Sequence, residues 1–292
     1  MFDIKIDSFL AVYRNKSYTK AAEELCLTQP AITQHIKALE SQYGCKLYEY
    51  SNRRLRLTKE GEIFYKYTEY LKANEKLMEQ KLREVNKKSK TLKFAATLTI
   101  GEFTIAPILD KFIENFSEYN MTMYVLNTKE VLEKIKSGEI AFALVEGLFN
   151  KDEYESKLYK TVKLILTAPT NHPLLNKSTV TIEDLKSDTI IVREKGSGTR
   201  EVIERGLFNK NYTLNTFKNI IEIGNVNIIK ELVKKGMGIS FMYEDAAREE
   251  IDRGELGEIK ISEFSIEREF NFIYLKNNIE YEEIDRFFSF FK

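Results

Sequence analysis

The stretch FLAVYRNKSYTKAAEELCLTQPAITQHIKALESQYGCKLYEYSNRRLRLTKEGEIFY, Phe9 to Tyr65, decides how this chain begins to fold. Ile6, Phe9, Leu10, Val12 and Tyr13 follow a helical period and predict a first helix over Ile4 to Arg14. Thr19 is placed to cap a second helix, Lys20 to Leu25, with Ala21, Ala22 and Leu25 as its packing residues. After a turn at Cys26-Leu27, Thr28 caps a third helix with Pro30 in its first turn, where the missing N–H costs nothing. Three helices with a short turn between the second and third make a helix-turn-helix arrangement. Beyond Gly44, Lys46 to Leu57 alternates Leu47, Glu49, Leu55, Arg56 and Leu57 around the polar tip Ser51-Asn52-Arg53-Arg54. That pattern predicts a small β-hairpin with a basic tip, a wing.

Thr58 caps a long helix expected from about Lys59 to Lys88, since no Pro falls between Pro30 and Pro107 and no Gly between Gly61 and Gly101. Its apolar positions, Ile63, Phe64, Tyr67, Tyr70, Leu71, Leu77, Met78, Leu82 and Val85, fall mostly on one stripe. Such a stripe needs cover, either from the wing domain or, more simply, from a second copy of the same helix. The run Lys87-Lys88-Ser89-Lys90 reads as a hinge. After it, strands at Leu92 to Ala96, Met121 to Leu126, Ile140 to Val145, Leu158 to Ala168, Thr189 to Val192, Asn219 to Ile223, Ile239 to Met242 and Phe270 to Leu275 interleave with helices. The expected helices are Glu102 to Phe116, Lys129 to Ser137, Thr199 to Phe208, Val226 to Lys235 and Ile284 to Phe291. Alternation of this kind predicts an α/β fold with mostly parallel sheets, in two lobes around a cleft.

A chain of 292 residues with 43% hydrophobic residues, 13 Gly and 4 Pro is an ordered protein long enough for about two domains. The sequence contains no stretch near the roughly 20 apolar residues of a membrane span, and Met1 to Ser17 lacks the order of a signal peptide, so a cytoplasmic location is expected. In that reducing setting Cys26 and Cys45 are read as small buried or half-buried hydrophobes rather than a disulfide. The two histidines, His35 and His172, have no zinc-ligand spacing with them, so neither a metal nor a cofactor is expected. The 45 Lys+Arg balance 45 Asp+Glu, which would argue against nucleic acid if the charge were evenly spread. It is not: residues 1–90 hold 18 basic and 12 acidic side chains, an excess of +6 that the rest of the chain cancels.

On the third helix, Ile32, Ile36 and Leu39 share the inward face, and Gln29, Thr33 and Lys37 recur every four residues on the other, flanked by Pro30 and Gln34. Gln pairs in bidentate fashion with adenine, Thr and Pro can touch a thymine methyl, and Lys reaches guanine or phosphate. A plain solvated face has the same spacing. The basic wing tip, Arg53, Arg54 and Arg56, a short way downstream, favours a major-groove helix.

The stretch Phe9 to Tyr65 resembles, almost position by position, the winged helix-turn-helix of the LysR-type transcriptional regulators, and the likeness continues through NHPL (Asn171 to Leu174), GSGTR (Gly196 to Arg200) and KKGMGISF (Lys234 to Phe241). It implies a fold of the α plus α/β class: an N-terminal winged helix-turn-helix with a long linker helix, then a two-lobed, periplasmic-binding-protein-like α/β effector domain. The expected divisions are residues 1–58 for the head, 59–90 for linker and hinge, and 91–292 for the effector domain. Its lobe I would be about 91–161 and 268–292, and its lobe II about 162–267. The resemblance implies a homodimer through the linker helix, commonly paired into tetramers, on double-stranded promoter DNA, with RNA polymerase a further candidate partner. DNA contacts are assigned to Thr19, Thr28, Gln29, Pro30, Thr33, Gln34, Lys37, Arg53 and Arg54. Tyr50 departs from the Arg that the family often carries after the wing's Glu.

Two turns point to a ligand. Thr97, Thr99 and Gly101 lie between a strand and its helix, as do Gly196, Ser197, Gly198 and Thr199, so small residues lead twice into helix N-termini that favour anions. Arg193, Lys195 and Arg200 could add charge there. The resemblance implies effector contacts at Thr97, Leu98, Thr99, Glu146, Ser197, Gly198, Thr199 and Asn225. TIGEF (Thr99 to Phe103) and REKGSGTRE (Arg193 to Glu201) look like the branch regulating cysteine and sulfur assimilation and carbon fixation. Leu98 stands where a small polar residue is common. The expected function is thus a DNA-binding regulator sensing a small, anionic metabolite, against the alternative of a small-molecule-binding protein or enzyme on the same effector fold. An enzyme would need a nucleophile with its base, a metal cluster or a phosphate loop, and the sequence shows no such motif.

Overall fold

The computed structural model describes residues 3–51, 54–85, 90–115, 119–262, 264–279 and 281–291, which form two compact units, one essentially residues 1–82 and the other most of 83–292. In the first, α1 (Ile4–Asn15), α2 (Tyr18–Glu24) and α3 (Gln29–Tyr43) precede the hairpin β1 (Tyr48–Ser51) and β2 (Arg54–Leu57), with Tyr48 opposite Leu57. Phe9, Val12, Ala21, Ile32, Ile36, Leu39, Leu47 and Leu55 close one core between helices and wing. The Tyr48 hydroxyl donates to the Phe9 carbonyl at 2.7 Å and ties wing to first helix.

Ser17, not Thr19, caps α2, its side chain accepting from the Lys20 N–H. Extended backbone at Ser17 lets the helix start two residues earlier than expected and leaves Thr19 exposed in the first turn. Thr28 caps α3 as expected, and Gly44, at φ 67°, ends it. Thr58 accepts from the Gly61 N–H and starts α4 (Lys59–Glu84). A Cβ at Gly61 would lie 2.1 Å from the Leu47 carbonyl oxygen, so only glycine lets α4 leave so close to the wing. The expected end of this helix near Lys88 and the hinge Lys87-Lys88-Ser89 lie largely outside the described residues.

The second unit opens with β3 (Lys90–Thr97), α5 (Leu98–Phe103), α6 (Ala106–Asn115), β4 (Tyr119–Leu126), α7 (Thr128–Lys136) and β5 (Phe142–Glu146). One helix was expected over Glu102 to Phe116, yet two form. Pro107 has no N–H to continue a helix, so the chain stops at Phe103 and restarts with proline in the first turn. Then come β6 (Tyr154–Pro169), β7 (Thr189–Val192), α8 (Gly198–Phe208), β8 (Asn219–Glu222), α9 (Val226–Lys234), β9 (Ser240–Tyr243), α10 (Glu244–Asp252), β10 (Leu256–Ile259), β11 (Ile266–Leu275) and α11 (Tyr281–Phe288). The sequence reading missed α10 and β10, because EDAAREEID carries too few apolar side chains to show a helical period.

The sheets are mixed rather than mostly parallel. In the first lobe β3 pairs parallel with β4 and β5, while β11 runs antiparallel between β5 and β6. The long β6 lies against β11 as far as Leu164 and then passes to β9 and β10, both antiparallel. Parallel β7 and β8 extend this second lobe, with Ile190 bridged to Ile239 beside β9. Two strands, β6 and β11, thus carry the chain between lobes, and antiparallel pairing is the geometric consequence of one strand leaving and the other returning. Stacked Phe94, Phe142 and Phe272 fill the first lobe's core, and Ile165, Ile191, Ile229, Val233 and Met242 that of the second. Among the described residues no helix is long and apolar enough to cross a membrane.

Candidate DNA face and effector cleft

On the outer face of α3, Gln29, Pro30, Gln34 and Lys37 are exposed and Thr33 is half-buried. The Gln29 amide donates to the Thr33 hydroxyl at 3.0 Å, and that hydroxyl donates to the Gln29 carbonyl at 3.1 Å. The two side chains hold each other in place, and the Gln29 amide keeps a second N–H and its oxygen free. Thr28 caps the helix and is exposed beside it. Arg54 and Arg56 stand exposed on β2, Tyr50 is 72% exposed on β1, and Arg53 lies outside the described residues. His35 turns the other way: Ser8 spends its proton on the Ile4 carbonyl, so its oxygen accepts from His35 Nδ1 at 2.7 Å. His172 is likewise structural, Nδ1 accepting from the Leu174 N–H and Nε2 facing Asp188 at 3.1 Å. Among the described residues no group of three or more His, Cys, Asp or Glu side chains is placed to hold a metal ion.

In the second unit the residues expected to contact an effector lie at the carboxyl ends of parallel strands, where open α/β sheets bind ligands. Thr97 ends β3, Thr99 is the second residue of α5 and Glu146 ends β5, all buried, with half-buried Leu98 opening the helix. The Thr97 hydroxyl donates to the Glu146 carboxylate. Burial pushes the Glu146 carboxyl up from its ordinary value, and the Thr97 hydrogen bond, the Arg193 charge and a Thr99 hydrogen bond only partly oppose this. The first turn therefore points its hydroxyls at an internal carboxylate rather than at open space.

The second turn meets the other lobe at Thr128, Glu146 and Gly147. The Gly198 N–H donates to the Thr128 hydroxyl at 3.2 Å, and that hydroxyl donates to the Glu146 carbonyl at 3.2 Å. Added Cβ atoms show how tight the approach is: at Gly147 one would lie 2.8 Å from Gly198 Cα, and at Gly198 one would lie 2.7 Å from the Glu146 carbonyl oxygen. Ser197 and Thr199 are both 3% exposed at the start of α8, whose first N–H groups have no acceptor within the helix. Arg193, 4% exposed, forms a two-point ion pair with Glu194, Nε to Oε2 at 2.9 Å and the second nitrogen to Oε1 at 3.0 Å. Arg200 pairs instead with Glu204 and Glu222, and Lys195 is exposed. The Asn225 side chain accepts from the Ile228 N–H and so serves as the cap of α9.

Thr128 and Tyr243 went unnoticed in the sequence. Thr128 looks like an ordinary helix-start threonine, but Tyr243 sits at the carboxyl end of β9, and that position alone could have marked it.

The comparisons with known proteins fit this geometry. Residues 5–62 match the family model described as the bacterial regulatory helix-turn-helix protein, lysR family, and residues 86–292 match the LysR substrate binding domain. The chain is 31% identical over 285 residues to the HTH-type transcriptional regulator CysL of Bacillus subtilis, covering 96% of this chain and 93% of that protein. It is 26% identical over 268 residues to the RuBisCO operon transcriptional regulator of Allochromatium vinosum, covering 91% and 87%. Among solved structures, the Synechocystis CcmR regulatory domain in complex with 2-PG is 26% identical with a TM-score of 0.62, covering 70% of this chain and 98% of that one.

Proposed function

The chain belongs to the LysR family of bacterial transcriptional regulators, and from that premise we propose how its parts divide the work of a DNA-binding regulator with an effector domain. It is a regulator and not an enzyme. In our reading residues 1–58 hold promoter DNA, 59–90 join two copies, and 91–292 sense the effector between lobe I (about 91–161 and 268–292) and lobe II (about 162–267).

Helix α3 enters the major groove, with Gln29, Pro30, Thr33, Gln34 and Lys37 toward the bases and Thr19, Thr28, Arg53 and Arg54 toward phosphates; the exposure of the described ones other than half-buried Thr33 supports this. The stripe Ile63, Tyr67, Leu71, Met78 and Leu82 on α4 is 40% to 65% exposed, an apolar surface that a second α4 would cover. Dimers joined this way would pair into tetramers that position the heads for RNA polymerase.

The effector is read as a small anionic metabolite of sulfur, cysteine or carbon metabolism. The observation that carries this is the buried N-terminus of α8 at Ser197-Gly198-Thr199, set against the Thr128 and Glu146 turns with Arg193 behind it. Relatives that regulate a RuBisCO operon, or whose regulatory domain is seen with 2-PG, support the same class. Because the lobes touch at these very turns, a ligand there changes their contacts and so re-spaces the heads, provided it favours one arrangement. Footprinting at several salt concentrations, with and without 2-phosphoglycolate or sulfate, tests the reading. A sequence-selective complex that weakens steeply with salt and shifts with an anion is expected. An anion response that survives Ser197→Ala with Thr199→Ala would overturn it.

A further inference from the structure

Beside the α8 turn lies a small, partly open pocket, bordered by Thr99, Arg193, Thr199 and Tyr243 over an apolar floor that includes Val226 and Ile229. Its volume is about 10 Å³, room for one water-sized group. Two hydroxyls that border it, Thr199 Oγ1 and Tyr243 Oη, are buried with no hydrogen-bond partner among the described residues. Tyr243 is 0% exposed and Thr199 3%. Unpaired buried donors are costly, commonly about 1–3 kcal/mol each, so two of them beside one cavity call for an acceptor. The remaining polar side chain there, Ser240, does not compete, since its hydroxyl is spent on the Ile191 carbonyl at 2.7 Å.

We propose that Tyr243 and Thr199 form an inner subsite of the effector cleft, which receives one oxygen of an oxyanion (carboxylate, phosphate or sulfate), and that Tyr243 is a specificity-determining residue of that cleft. This rests on the effector reading above. The donors match the chemistry: two unpaired O–H groups border a space the size of one terminal oxygen, with Arg193 also lining it. The ring of Tyr243 is held edge-on to Phe270 at 5.2 Å, so its hydroxyl is fixed in place. Burial, with the Glu146 charge, pushes the Tyr243 phenol far up, which keeps it protonated and donating. The apolar floor sets the selectivity, since a larger or branched group in place of a single oxygen meets carbon on that side.

Calorimetric titration of the full chain with sulfate, inorganic phosphate and 2-phosphoglycolate, for wild type, Tyr243→Phe, Thr199→Val and Thr199→Ser, decides the matter. Removing one hydrogen bond to a charged group is expected to weaken the best-bound anion about 10-fold or more in Tyr243→Phe and Thr199→Val, while Thr199→Ser keeps wild-type affinity. Which of the three anions binds identifies the head group. Should Tyr243→Phe fold poorly, the Thr199 pair carries the same comparison. If wild type binds an anion and both deletions bind it equally well, the two hydroxyls face water only and the subsite is overturned, while the effector reading stands. If wild type binds none of the three, the subsite and the anionic effector fall together, and DNA recognition by the head is untouched.

Discussion

The Thr97 hydroxyl donates to the carboxylate of Glu146, 49 residues further along the chain, at the edge where β3 and β5 both end. Thr99, Arg193 and Tyr243 are the other polar groups whose influence reaches that carboxylate, and none outweighs its burial, so its pKa lies above the ordinary 4.5. A raised carboxyl binds its proton more tightly folded than unfolded. Its contribution to stability is therefore fully present below the ordinary value and is lost as pH rises through the raised one. An anion beside it would favour the proton further, so anion affinity should fall over the same window. Glu146→Gln is expected to flatten both curves and to raise stability at neutral pH, as read by thermal melts and titrations across pH; unchanged slopes would remove Glu146 from this role.

Base reading and phosphate holding separate by mutation. Gln29→Ala is expected to cost about 1–3 kcal/mol of discrimination at one base pair, while Arg54→Ala weakens all sequences alike and lowers the salt slope by about 1. Binding curves on the selected site and on single-base variants at several salt concentrations give both quantities. An Arg54→Ala variant that changes base preference would reverse the assignment.

Closure between the lobes depends on Gly198. A Cβ there would lie 2.6 Å from the Thr128 hydroxyl oxygen and 2.7 Å from the Glu146 carbonyl oxygen, which is backbone and cannot swing away. Gly198→Ala is expected to hold the lobes apart, lower the melting temperature by several degrees and blunt the anion response. Small-angle scattering of the isolated variant would show an unchanged envelope if the contact is unimportant.

The apolar stripe on α4 predicts the assembly. Leu71→Glu places a charge in the middle of it, between Tyr67 and Met78, and is expected to convert dimers to monomers in sedimentation and to weaken binding to two-half-site DNA far more than to a single half-site. A Leu71→Glu variant that sediments as wild type would remove α4 as the surface between copies.

Much of this was legible in the chain itself. The head is built from short-range signals, caps at Thr28 and Thr58, periodic apolar residues and a basic hairpin, each of which acts within a few residues, so it reads off directly, apart from the start of α2 and Cys26, which is exposed at φ 53° in the turn rather than buried. Most of the strand and helix alternation of the effector unit was legible too, apart from α10, β10 and the break between α5 and α6, and so was the division of a neutral chain into a basic head and an acidic remainder. What tertiary structure alone decided are the relationships between distant residues. The antiparallel return of β11 along β6 has no local signature. Thr97 and Thr99 look like free anion donors until Glu146 is folded onto them, and Tyr243 is an ordinary strand-end aromatic until Thr199, some 44 positions earlier, borders the same pocket. Helix caps and periodicity are properties of neighbouring residues and survive in the sequence; whether a buried donor has an acceptor depends on what the rest of the fold brings to it.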